Sequence, residues 1–290
     1  MKSDWRGYLI QYKVQQHRII KTFELFRKYN VEPILIKGWA AARNYPQKED
    51  RLFVDIDICV APNEFKQAEE ILADYNKEGL TIDLHNGLRH LDTVEWNDLF
   101  ENTELVKLET TNIRLLRPED HLRILCVHWL SDGGANKIKL WDIYYAVKNR
   151  PVGFDWERCL NKISPTRRKW IICTVGLACK YLGLNVKDTP IAKEVKDIPC
   201  WLIKAVEKEW KSDLKLIPLH YFLHDKKKLF RQIKKRIPPN PIQATIDMEG
   251  EFDNRPRIFY QIGDVFFRLA PAVRRIAKSL ISQKKVNSKS

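Results

Sequence analysis

Two aspartates, Asp55 and Asp57, stand one residue apart inside the apolar stretch 52–60. The β-branched and apolar residues around them predict a buried strand. Because side chains alternate between the two faces of a strand, both carboxylates should project from the same face. Two like charges side by side are costly unless a cation neutralises them, and carboxylate oxygens are the ligands that Mg²⁺ prefers. The pair therefore predicts a magnesium site.

Two further features flank this pair along the chain. Asp83 lies in the middle of the next apolar run, where we expect a neighbouring strand. Lys37 and Gly38 lie between a short apolar strand and a helix start, where glycine and free N–H groups admit a phosphate. Three carboxylates on adjacent strands suit two metal ions, which stabilise the attacking and leaving oxygens of a phosphoryl displacement. Taken singly, an Asp-x-Asp pair can face solvent at a strand edge, and Lys-Gly can be a simple turn. The order of these motifs along the chain is therefore what indicates a phosphate-binding metal site.

The elements that must position these residues follow from periodicity. Helical spacing predicts one helix at 5–29 and a second helix that begins at Pro62 and ends at about Tyr75. Strands are predicted at 33–36, 52–60 and 81–85, and a hairpin at 105–116. At Pro118 the pattern changes, with proline and acidic residues opening a helix. Helical periods then dominate, most clearly at 119–131, 138–148, 167–182 and 200–211.

These elements predict an α+β chain in two domains. A small mixed-sheet catalytic domain is expected at residues 1–116, followed by a mainly helical domain with a basic tail at 117–290. With 290 residues and 44% hydrophobic content, the chain can bury a sizeable core. The six scattered cysteines without a CxxC spacing suggest reduced core residues of a cytoplasmic protein.

The net charge of +14 is concentrated in the C-terminal third. Residues 201–290 hold 20 Lys and Arg against 9 Asp and Glu, which accounts for +11. Such a surface suits RNA or an anionic membrane, or is simply a solvated helical face. Residues 257–281 are typical of a basic amphipathic helix kinked at Pro271, which either attaches to a membrane surface or packs on its own domain.

The order of motifs resembles the nucleotidyltransferase superfamily that includes DNA polymerase β. A bacterial family within it, most of whose members have no assigned substrate, is the nearer resemblance. The motifs that carry it are Leu35-Ile36-Lys37-Gly38, Tyr45-Pro46, Arg51, Asp55-Ile56-Asp57 and Ile82-Asp83-Leu84-His85. Looser similarity continues through His121 to His128, Leu140 to Ile143 and Arg236 to Asn240.

The resemblance implies a role for each matching residue. Asp55, Asp57 and Asp83 would bind two Mg²⁺ ions, with Asp83 either a ligand or the general base. Lys37 and Gly38 would hold the nucleotide phosphates, with Arg51 as a further phosphate contact. His85, two residues beyond Asp83, would aid proton transfer or orient Asp83, or is a structural histidine.

Asp142 is an unusual carboxylate because it lies in an otherwise apolar helix. A buried carboxylate needs a partner or an open cleft. We therefore expect Asp142 to line the nucleotide-binding cleft with Lys139, or to form an ion pair on the helix surface.

The resemblance implies an enzyme that moves a nucleoside monophosphate from an NTP to an acceptor and releases pyrophosphate. A small molecule, a sugar, a peptide or a protein would suit as the acceptor, and the oligomeric state is open. The basic C-terminal third keeps RNA, such as a tRNA end, as an alternative acceptor. A non-catalytic nucleotide-binding module of the same fold is the other alternative.

Overall fold

The structure is a computed structural model of the chain, and it describes residues 2–75, 82–88, 94–212, 214 and 225–267. The chain divides into two compact units. The first comprises residues 1–128 and 138–196, and the second comprises residues 129–137 and 197–290. Several helices beyond residue 116 belong to the same unit as the sheet. The domain boundary expected between residues 116 and 117 stays a prediction.

Within its described residues, the first unit contains a five-stranded mixed sheet. Its strands are β1 (Ile34–Leu35), β2 (Ile56–Val60), β3 (Ile82–Asn86), β4 (Glu104–Leu108) and β5 (Thr111–Leu115). Their order across the sheet is β3-β2-β1-β5-β4. β2 runs parallel to β3 and antiparallel to β1, while β5 runs parallel to β1 and antiparallel to β4. The predicted strands and hairpin are confirmed, but β2 begins only at Ile56, later than the apolar stretch suggests.

The helices of the first unit lie before, between and after these strands. They are α1 (Lys2–Lys28), α2 (Trp39–Ala42), α3 (Phe65–Tyr75), α4 (Trp96–Glu101), α5 (Pro118–Ser131), α6 (Leu140–Lys148), α7 (Trp156–Asn161) and α8 (Pro165–Leu182). The last three residues of α5 fall in the second unit. The sequence does not predict helices α4 and α7, since six residues are too few to show a helical period. With its sheet and mainly helical remainder, the chain has the predicted α+β class.

Apolar side chains cover both faces of the sheet. On one face Ile58 and Leu115 pack with side chains of α1 and α3, among them Phe23 and Ala68. On the other face Cys59 packs with Leu99 of α4 and Ile124 of α5. Neighbouring residues of β2 thus enter opposite cores, as strand alternation requires. Asp57 is two residues before Cys59 and therefore shares the face covered by α4 and α5.

The second unit is helical in its described part. It holds α9 (Cys200–Trp210), α10 (Lys226–Arg236) and α11 (Pro241–Asp247), and residues 258–267 are helical as well. Asn240 caps α11 by accepting from the backbone N–H groups of Ile242 and Gln243. The helix predicted at 257–281 is confirmed over its first part, whereas 268–281 with Pro271 lies outside the described residues. Among the described helices, none is both long and apolar enough to cross a bilayer.

Candidate active site

The parallel pairing of β2 and β3 brings two of the predicted carboxylates side by side. Asp57 is the register partner of Asp83, with Ile56 opposite Ile82 before them. In this register their side chains leave the sheet on the same face. The Asp57 side chain is 13% exposed and that of Asp83 is 59% exposed. One carboxylate is therefore held in the protein while the other faces solvent.

His85 joins the same pair of carboxylates. It lies two residues beyond Asp83 on β3, opposite Cys59 of β2, so its ring rises on the carboxylate face. Its Nε2 lies 3.4 Å from Asp57 Oδ1 and 3.3 Å from Asp83 Oδ2. One oxygen or nitrogen from each of the three side chains lies within 4.8 Å of the others. Asp57, Asp83 and His85 form the donor cluster of the site.

Lys37 provides a positive charge beside this donor cluster. Its Nζ lies 2.5 Å from Asp57 Oδ1, and the backbone N–H of the preceding Ile36 donates to the Asp57 carbonyl at 3.0 Å. Burial alone would raise the pKa of Asp57, but the hydrogen bond from His85 and the charge of Lys37 outweigh it and lower the pKa to about 2. Asp57 is consequently ionised at neutral pH, as a metal ligand must be.

Gly38 turns the chain sharply between Lys37 and α2. Its φ of +60° and ψ of −110° form a combination that side chains strongly disfavour. A Cβ atom at this position would lie 3.1 Å from the ring of Phe53. Glycine therefore allows the turn to pack against the segment that leads into β2, which sets Lys37 beside Asp57.

Asp55 lies outside the donor cluster. The ladder of β2 begins at Ile56, and Asp55 is an exposed residue immediately before it. The mutually close set of donor atoms consists of Asp57, Asp83 and His85 within the described part of the chain. The role of Asp55 as a metal ligand stays a prediction.

Arg51 and Asp142 form a buried, two-pronged ion pair. Arg51 Nε donates to Asp142 Oδ1 at 2.7 Å, and Nη2 donates to Oδ2 at 2.9 Å. The Tyr45 hydroxyl donates to the same carboxylate at 2.7 Å, and its ring packs on Tyr145 of α6 at 4.5 Å between centroids. This cluster of Tyr45, Arg51 and Asp142 ties the segments on either side of Pro46 to α6.

The partner of Asp142 is not one that the sequence suggests. Asp142 pairs with an arginine 91 residues earlier in the chain. Lys139, the neighbour expected to share its role, instead places Nζ 3.4 Å from His128 Nε2. Since the Asp142 side chain is 5% exposed, the alternative of a surface ion pair is wrong. The contact with nucleotide predicted for Arg51 and Asp142 stays a prediction.

His121 lies beneath the turn that carries Lys37. Its ring hydrogen-bonds to the backbone of Ile36, and burial lowers its pKa to about 4. Its Nε2 has no hydrogen-bond partner within the described residues. A neutral histidine therefore supports the end of β1. The sequence places His121 in a looser part of the resemblance and gives no signal for this contact.

The donor cluster fits a divalent cation. When two ligand atoms each lie about 2.1 Å from one ion, their separation depends on the ligand–ion–ligand angle. It is about 3.0 Å at a right angle and about 3.4 Å at the tetrahedral angle. The separations of 3.3 and 3.4 Å from His85 to the two carboxylates fall in this range. The exposure of Asp83 leaves one side of the cluster open to a substrate.

A comparison with known protein families gave a match to the N-terminal part of the chain. Residues 1–182 match the model of a family described as uncharacterised nucleotidyltransferase. The matched span contains all of the site residues described above. Searches of curated proteins and of solved structures gave no match.

Proposed function

The chain belongs to the uncharacterised nucleotidyltransferase family, and we propose that it transfers a nucleoside monophosphate from an NTP to an acceptor with the help of Mg²⁺. The main observation behind this proposal is that two carboxylates lie close together and one of them contacts a lysine at a glycine turn. Asp57, Asp83 and Lys37 come from three separate segments. Lys37 Nζ lies 2.5 Å from Asp57 Oδ1, and donor oxygens of Asp57 and Asp83 lie within 4.8 Å of each other. A structural ion pair needs only two of these groups.

The proposed site divides metal binding and phosphate binding among its residues. Asp57 and Asp83 hold the metal ions, with Asp55 as a further ligand from the start of β2. Lys37 and the backbone at Gly38 bind the triphosphate. A bound divalent cation would supply charge neutralisation to the α-phosphate and to the departing pyrophosphate.

The chain's own groups complete the reaction by positioning and proton transfer. The acceptor oxygen forms a bond to the α-phosphorus while the bond to the pyrophosphate oxygen breaks, and pyrophosphate leaves with that electron pair. The proton of the acceptor hydroxyl passes to a carboxylate oxygen of Asp83, the more exposed of the two. The ion pair of Arg51 and Asp142 holds the loop before β2 in place beside these groups.

Labelled transfer tests the proposal directly. The protein is incubated with each of the four α-labelled NTPs, Mg²⁺ and a lysate separated into RNA, protein and small-molecule fractions. We expect label in one fraction, and we expect Asp57→Asn to abolish it. Asp74→Asn, at an exposed aspartate on α3, is the matched control and should transfer at the wild-type rate. Equal transfer by Asp57→Asn would contradict the assigned role of Asp57. Absence of label in every fraction would contradict the proposal and favour a non-catalytic binding module.

RNA is a second candidate for the acceptor because of α10. Seven of its eleven residues are Lys or Arg, and the Phe230 ring is exposed among them. Basic side chains with an exposed aromatic ring suit a nucleic-acid backbone and a stacked base. Binding of labelled tRNA should fall steeply with salt, and the double variant Lys227→Glu, Lys234→Glu should bind at least about tenfold more weakly at low salt. A flat salt response would remove RNA as the acceptor.

A further inference from the structure

His85 stands in an unusual place for a strand histidine, because one of its ring nitrogens faces two carboxylates at once. Nε2 lies at nearly equal distances from Asp57 Oδ1 and Asp83 Oδ2, 3.4 and 3.3 Å. A neutral ring has at most one N–H at this nitrogen and so can donate to one of them at a time. The convergence of both oxygens on Nε2 needs another explanation.

The distances themselves favour shared ligation over hydrogen bonding. An ordinary N–H···O bond has its most frequent length at about 2.9 Å, and both contacts of His85 exceed that by several tenths of an ångström. Two donors that share one ion at about 2.1 Å lie about 3.4 Å apart at the tetrahedral angle. Both contacts are therefore long for hydrogen bonds, and their lengths match the spacing of ligands that share one ion.

The backbone fixes this arrangement. Asp83 and His85 alternate to the same face of β3, and the parallel register holds Asp57 directly opposite Asp83. All three side chains therefore stand on two adjacent hydrogen-bonded strands. A site built on strands is held more closely than one built on loops.

The donor chemistry then decides which class of ion is preferred. Mg²⁺ is a hard cation that is bound through oxygen, whereas imidazole suits borderline ions of the first transition row. The imidazole in this mixed set favours a first-row transition ion over Mg²⁺, and Mn²⁺ is a member of that row that carboxylates also suit. The partial exposure of His85 and Asp83, 33% and 59%, leaves coordination positions for substrate oxygens.

We propose that His85 is a metal ligand together with Asp57 and Asp83, and that this mixed site selects a first-row transition ion such as Mn²⁺ over Mg²⁺. The proposal rests on the proposed function and deepens it by naming the class of ion and a nitrogen ligand. The site would be one of the two ion positions expected for the proposed function.

Direct binding of Mn²⁺ to the full chain without nucleotide tests the proposal. Free Mn²⁺ is followed by its electron paramagnetic resonance signal, and pulsed spectra of the bound ion report coupling to a ¹⁴N nucleus. We expect this imidazole coupling in the wild type and its loss in His85→Gln, which places an amide oxygen where the nitrogen was. His17→Gln, at an exposed histidine on α1, should leave the coupling unchanged.

Affinities separate the two ions. Loss of a residue that merely orients a ligand already lowers metal affinity about 10–100-fold, so His85→Gln should weaken Mn²⁺ binding at least about tenfold. Mg²⁺ affinity, measured by competition, should change less, so that the preference for Mn²⁺ over Mg²⁺ falls. Absence of ¹⁴N coupling in the wild type, or equal Mn²⁺ affinity in His85→Gln, would overturn the proposal.

Transfer assays run in parallel keep the two proposals apart. If labelled NMP transfer proceeds with Mg²⁺ and requires Asp57 while His85→Gln binds Mn²⁺ normally, the nitrogen ligand is wrong and the proposed function stands. If Mn²⁺ binds with ¹⁴N coupling and no transfer occurs, the metal site stands and the proposed function fails.

Discussion

The buried ion pair of Arg51 and Asp142 allows a direct test of what stabilises the segment before β2. Their fork-to-fork contact is 2.7 and 2.9 Å long, and both side chains are largely removed from solvent. Removing one partner of such a pair leaves a buried charge without compensation, which costs about 3–5 kcal/mol. We therefore expect Arg51→Met and Asp142→Leu each to lower the free energy of unfolding by that amount.

The double variant should lose less free energy of unfolding than the sum of the single losses. Replacing both charges by apolar side chains of similar volume removes the uncompensated charge, so a coupling energy of about 2–3 kcal/mol is expected. The measurement is urea unfolding of the four proteins in the cycle. Hydrogen exchange in α6, recorded alongside, shows that the loss arises in the unit that contains the pair.

An exposed pair of the same chemistry provides the control. Arg168 and Glu194 also form a two-pronged contact, but their side chains are 32% and 43% exposed. Arg168→Met should cost no more than about 1 kcal/mol. Single losses below about 1 kcal/mol at Arg51 and Asp142, or losses that simply add, would refute the reasoning. Lower NTP affinity with unchanged stability would instead assign Arg51 to the phosphates alone.

Three further predictions concern the turn that carries Lys37. Lys37→Ala should weaken NTP binding but strengthen metal binding without nucleotide, both by calorimetry, since the ammonium competes for Asp57 Oδ1; equal metal affinity would contradict this. Gly38→Ala should lower the free energy of unfolding by about 1–3 kcal/mol in urea titrations, because its φ is +60° and Phe53 is close; unchanged stability would show that the turn carries no strain. Burial lowers the pKa of His121 from 6.5 to about 4, so the unfolded chain binds the extra proton and stability falls as pH drops below about 6.5. Between about pH 7.5 and pH 5 the wild type should lose about 2 kcal/mol more than His121→Gln; parallel pH curves would count against a buried neutral ring.

The carboxylates of the site were predictable because they depend on local periodicity. Alternation along a strand places Asp83 and His85 on one face, and strand order places β2 beside β3. The start of β2 was less predictable, since Phe53 and Val54 are as apolar as the residues that follow. Where a ladder begins depends on the partner strands, and the pairing here starts at Ile56.

Contacts between distant segments could not be derived from spacing. Nothing near Asp142 in sequence indicates Arg51, which lies 91 residues away. Asp120 is a second residue whose partner could not be predicted. The sequence predicts its place in the first turn of α5, and this is confirmed. It is also buried and accepts from Arg158 of α7 at 2.8 Å, a partner on a helix too short to predict.

The two carboxylates of the donor cluster differ in surroundings, and this difference argues for different tasks in the proposed reaction. Asp57 is enclosed, contacts Lys37 and His85, and has its pKa lowered to about 2. Such a group is a poor proton acceptor, because a carboxylate with so low a pKa holds an added proton only weakly. Asp83 is mostly exposed and has His85 beside it. In the proposed reaction a proton taken up by Asp83 can leave directly to solvent, so we assign the fixed charge to Asp57 and the moving proton to Asp83.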